Sequence, residues 1–110
     1  MTAAIVERAI DYFGEAGVEA GAVRVFAPQP DQNDWRCEYQ ISWPGYDRSK
    51  YAMGVDPWQA LQLAMFIVPS TISATDDFKA GRIGLWGSPI TTYEEICARF
   101  GVKPIEGPPQ

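Results

Sequence analysis

The side chains of this sequence best suited to making and breaking bonds are two cysteines, Cys37 and Cys97, and two adjacent acidic pairs, Asp76-Asp77 and Glu94-Glu95. A cysteine attacks as its thiolate, so it needs a base, a cation or a helix N-terminus beside it. The chain contains no histidine, which removes Cys-His and Ser-His-Asp catalysis and leaves two thiols and scattered carboxylates as a poor zinc cage. Both cysteines lie among apolar neighbours and read as buried free thiols rather than a disulfide. Adjacent carboxylates diverge on a helix or a strand, so neither pair converges on one site; each is better placed to supply a helix N-terminus. Gly81-Arg82-Ile83-Gly84-Leu85-Trp86-Gly87 is rich in glycine but lacks the Lys-Ser/Thr of a phosphate loop and opens no helix. Its glycines suit tight turns or close backbone approach beside Trp86. The expectation is no catalytic residue, no metal site and no cofactor.

These residues must be held by one core, because 110 residues is the length of a single domain. We place that domain at residues 1–105, with 106–110 as a flexible tail. The formal charge is −5, and the basic residues cluster no more tightly than Arg48 with Lys50 and Lys79 with Arg82. A nucleic-acid partner is therefore not expected. No apolar run is long enough to cross a membrane, and Glu7 and Arg8 fall where a signal peptide needs its apolar segment. A cytoplasmic location follows as the default expectation.

The elements predicted to carry the chain are few. Trp35, Cys37, Tyr39, Ile41 and Trp43 alternate with polar residues over nine positions, the pattern of an antiparallel strand with one wet face. Ala22 to Ala27 reads as a second strand, Pro28 to Asp34 as a surface loop, Tyr51 to Met53 as a short strand and Arg82 to Trp86 as an edge strand. Ala3 to Phe13 fits either a helix, through Ile5, Val6, Ala9, Ile10 and Phe13, or one side of a strand, through Val6, Ile10 and Tyr12; local propensity favours the helix. Asp56, Pro57 and Gln59 open the main helix as cap, first residue and capping-box partner, and Pro69 is expected to end or kink it near Phe66. Thr92 and Glu95 open a second helix that Gly101 closes. The predicted fold is α+β: an antiparallel meander of three to four strands packed on one main helix, with a second C-terminal helix.

The main helix is apolar nearly all round, so packing one side on the sheet leaves Trp58, Gln62, Met65 and Phe66 to be covered. The second helix, through Tyr93, Ile96 and Phe100, is one cover; a homodimer or another protein is the other. The leading functional expectation is a non-enzymatic binding domain that uses Trp58, Gln62 and Phe66, with Trp86 and Arg82, to associate with itself or a protein partner. One alternative is a small-ligand binder or carboxylate-dependent enzyme built on Arg82, Asp56, Tyr51 and Trp86. Another is an acidic, immunity-like or antitoxin-like inhibitor of a basic partner.

Asp34-Trp35-Arg36-Cys37-Glu38-Tyr39-Gln40-Ile41, Gly54-Val55-Asp56 with Gln59-Ala60-Leu61-Gln62-Leu63-Ala64, and Gly81-Arg82 with Leu85-Trp86 together resemble a family of small bacterial proteins, a domain of unknown function. The resemblance implies a strand over Val6-Glu7-Arg8 in place of the helix. It implies a fold and carries no activity, cofactor or partner. In the family pattern the chain ends sooner, so the Tyr93–Phe100 helix departs from it.

Overall fold

The sheet is organised around the strand whose alternation is cleanest. β4 (Asp34–Trp43) buries Cys37, Tyr39, Ile41 and Trp43 and turns Arg36, Glu38, Gln40 and Ser42 the other way. In this computed structural model, which describes residues 3–104, β4 pairs along one edge with β5 (Tyr46–Gly54), from Trp35 opposite Gly54 to Trp43 opposite Tyr46. Pro44 and Gly45 make the two-residue turn between them, with Gly45 at φ 84°, the combination a type II turn demands.

The other edge of β4 carries two short ladders in line, β2 (Gly17–Phe26) and β3 (Gln29–Asp31). Val25 faces Tyr39 and Gln29 faces Arg36, so the β2–β3 side takes one more residue than β4. The extra residue makes a bulge around Pro28, whose missing N–H excludes it from a regular ladder. β1 (Ala4–Gly14) pairs with β2 in a long hairpin, β6 (Ile83–Leu85) pairs with β1 at Asp11 and Tyr12, and β7 (Ser88–Pro89) follows β6. All pairs are antiparallel, and the order across the sheet is β5, β4, β2 with β3, β1, β6, β7.

α1 (Pro57–Ser73) lies across β4 and β5, and α3 (Tyr93–Phe100) packs on α1. Asp56 Oδ1 accepts from the Gln59 N–H at 2.8 Å and Gln59 Oε1 accepts from the Val55 N–H at 2.9 Å, which fixes the start of α1 as the capping pattern predicts. Ala60, Ala64, Val68 and Ile72 recur at four-residue spacing and are buried against the sheet. Thr92 Oγ1 accepts from the Glu95 N–H, and Gly101 at φ 72° ends α3 with N–H groups of Gly101 and Val102 bonded back to Ala98 and Cys97. The core joins Ile10, Val23, Val25, the inward row of β4, the buried side of α1, Phe78, Ile83, Leu85, Ile90 and Ile96.

The α+β class, the antiparallel sheet, the capped helices and the strand that the resemblance implies at Val6-Glu7-Arg8 agree with the expectation, and other details do not. Among the described residues the sheet has seven strands rather than three or four, and a short helix, α2 (Asp76–Lys79), brings the helices to three. Pro28 to Asp34 contains β3, and Arg82 to Trp86 yields β6, which is flanked by β1 and β7 instead of forming an edge. Ala3 to Phe13 is strand β1, as the resemblance implies and local propensity does not, because pairing with β2 and β6 outweighs helix propensity. α1 continues through Pro69 to Ser73. The missing N–H and the ring's crowding of the preceding turn cost about 3 kcal/mol, which the burial of Val68, Pro69 and Ile72 offsets, and Thr71 and Ser73 hydroxyls donate to the carbonyls of Ile67 and Ser70. The predicted tail at 106–110 lies outside the described residues.

Candidate functional site

Of the residues that the sequence singles out, three share one surface. Trp58, Gln62 and Phe66 follow one another at four-residue steps along the outer side of α1, beside exposed Leu63, Met65 and Ile67. Trp58 is 78% exposed, an unusual position for the residue with most to gain from burial. No residue from Pro57 to Ser73 is charged. α3 does not cover this surface: its Ile96 and Cys97 enter the core and its Tyr93 hydroxyl meets Ser70 Oγ at 3.0 Å, at the C-terminal half of α1.

Arg82 and Trp86 stand elsewhere and apart from each other. Arg82 reaches Asp77 Oδ1 at 3.4 Å, while the second oxygen of Asp77 accepts from the Trp43 indole N–H at 2.7 Å. Arg82 therefore serves to hold α2. Trp86 sits in the β6–β7 turn at φ 53°, 69% exposed, with the guanidinium groups of Arg8 and Arg99 at 5.7 and 5.5 Å from its ring. Asp56 is committed to its cap, and Tyr51 faces Arg36 on the uncovered side of the sheet. The four residues of the ligand-binding alternative are thus engaged in four separate places.

Two concavities bring together residues that lie far apart in the sequence. One, of about 480 Å³ and open to solvent, has Arg48 and Lys50 of β5 on one wall and Thr75, Asp76 and Asp77 on the other. The second is an apolar cleft between the β1–β2 side of the sheet and α1, in which Arg8 is the cation. A strand over Val6 to Tyr12 puts Arg8 on the same side as Val6, Ile10 and Tyr12, but nothing in that segment shows that α1 and α3 close over it.

Cys37 and Cys97 are free, buried thiols. Burial, and then the neighbouring Glu38 carboxylate, pushes the Cys37 thiol above its ordinary 9.0. Burial likewise pushes the Tyr39 phenol above 10.0, with Thr71 hydrogen bonding partly opposing it and Tyr46 adding to it. Both groups hold their protons to higher pH when folded, so their contribution is complete below about pH 9 and is lost as pH rises past 9.0 and 10.0 toward the raised native values. The expected outcome is a melting temperature that falls between pH 8.5 and pH 11, measured by circular dichroism, and that falls less steeply in Tyr39→Phe. An equal fall in both proteins would remove Tyr39 from this account.

Residues 6–94 match the family model described as a domain of unknown function, DUF6968, and the chain belongs to that family. The matched span runs from β1 through α1 to the first turn of α3, so Arg99 and Phe100 lie beyond it. No curated protein and no solved structure matches the chain.

Proposed function

We propose that this member of the DUF6968 family is a non-enzymatic binding domain that associates with a second copy of itself through the outer face of α1. The observation that carries the reading is the uncharged, apolar stripe of Trp58, Phe66 and their neighbours, left open after the sheet and α3 have packed. Contiguous exposed apolar surface of this kind marks interaction sites, and buried aromatic anchors supply most of their binding energy.

Several features favour a like partner. The chain carries a net charge of −5, yet two copies meeting along α1 bring no like charges together. Trp58 and Phe66 each lie four residues from Gln62. An antiparallel pairing of two α1 helices about a two-fold axis at Gln62 would set Trp58 of each copy against Phe66 of the other. Gln62 carries both donors and an acceptor, so its amide can pair with its own copy across that axis.

Light scattering on a sizing column over a concentration series tests the reading. Wild-type protein should show twice the chain mass at high concentration. Trp58→Asp/Phe66→Asp should remain at the chain mass throughout with a near-native circular dichroism spectrum. A wild-type chain that stays monomeric up to the highest concentrations, or a variant that still dimerises, would overturn it.

A further inference from the structure

The apolar cleft beside Arg8 has the dimensions and polarity of a small binding site. Val6 to Arg8, Val23 and Val25 of the sheet, Met65 and Val68 of α1, and Phe100 of α3 wall a space of about 130 Å³. That is close to the roughly 150 Å³ of an apolar protein cavity that accommodates benzene.

Arg8 supplies the polarity. It is partly buried, and among the described residues no carboxylate lies within ion-pair distance of it. Its sequence neighbour Glu7 also lines the cleft, with its carboxylate paired to Arg24. One guanidinium nitrogen of Arg8 donates to the Arg99 carbonyl at 2.5 Å, and the cation stands over Phe100 at 4.9 Å and beside Trp86 at 5.7 Å. A guanidinium has five N–H donors and takes a carboxylate in two parallel hydrogen bonds. A partly buried cation with no ion-pair partner among the described residues is a group whose cost an anion offsets. Arg99 is also beside Trp86, but its charge is paired with Glu95, which leaves Arg8 as the cation that faces the cleft.

We propose that the cleft binds a small aromatic monocarboxylate, with the ring between Met65, Val68 and the β1–β2 side of the sheet and the carboxylate on Arg8. This site borders the Trp58–Phe66 stripe at Met65, but Arg8 and its other walls lie outside the stripe, and binding does not depend on self-association.

Phenylacetate is the probe, with its neutral isostere phenylacetamide as the control, in a ¹H–¹⁵N NMR titration that includes the indole N–H signal of Trp86. Phenylacetate should give saturable shifts centred on Val6, Arg8, Val23 and Phe100, with a midpoint on the order of 1 mM for so small a ligand. Loss of a charge-assisted hydrogen bond weakens binding about ten- to a hundredfold. Phenylacetamide on the wild-type protein, and phenylacetate on Arg8→Gln, should therefore both weaken by at least tenfold. Absence of saturable shifts, shifts centred elsewhere, or equal affinity for acid and amide would each overturn the proposal, and the acid-amide comparison needs no variant to fold.

Discussion

Gly54→Ala is expected to destabilise the chain by about 2–4 kcal/mol, a large loss for a single methyl group. Gly54 ends β5 directly under the first turn of α1, and it is buried. A Cβ at this position would collide with the Ala60 nitrogen and would come within 2.8 Å of the Ala60 Cα and 2.9 Å of the Gln59 carbonyl carbon. All three are backbone atoms, so no side chain can rotate away, and relief requires lifting the helix start off β5. That movement would also pull at the Asp56 cap and shift Trp58, which lies two residues beyond it. Gly45→Ala provides the contrast, since Gly45 has a left-handed φ of 84° and open space around it. Its cost is the backbone term alone, about 1–2 kcal/mol. Thermal melts of the two variants separate close approach from backbone strain. A Gly54→Ala melting temperature at or above that of Gly45→Ala would mean that α1 does not rest on β5 as described.

The residues that specify this packing also explain what was legible beforehand. β4 was readable because one face is buried along its length, giving nine residues of clean alternation. α3 was readable because Thr92, Glu95 and Gly101 announce its ends locally. β5 was visible only as Tyr51 to Met53, because it is an edge strand whose Asp47, Arg48 and Lys50 hide the alternation while serving to discourage edge pairing. The outer part of the β1–β2 hairpin, from Glu15 to Ala20, is exposed throughout, so no burial pattern marks it. The stronger clue there was Gly14 and Gly17 bracketing two residues, just as Pro44-Gly45 marks the β4–β5 turn. The helix stripe at Trp58, Gln62 and Phe66 was legible because it depends on one element. The Arg8 cleft was not, since it draws residues from three parts of the chain that only the sheet order and the placement of α3 bring together.

Trp43→Ala should cost about 3–5 kcal/mol, comparable with the lower end of the total stability of a domain. The indole is 4% exposed, stacks on Tyr46 with ring centroids 4.4 Å apart, and donates to Asp77 Oδ2 at 2.7 Å. Asp77 belongs to α2 and also holds Arg82, the residue just before β6. The Trp43–Asp77–Arg82 chain thus ties β4 to the segment that carries the polypeptide from α1 to the far side of β1. Trp43→Phe keeps a ring in the core and removes the N–H; Asp77→Ala removes the acceptor. A double-mutant cycle should give a coupling of about 1.5–3 kcal/mol, the range for a hydrogen bond to a charged group. In Trp43→Phe, amide exchange should accelerate first in α2 and β6, because their tether is cut while the β4–β5 ladder remains intact. A coupling indistinguishable from zero, with α2 and β6 exchanging as in the wild type, would mean that the indole only fills space. The tether assigned to Asp77 would then have to reside in its contact with Arg82.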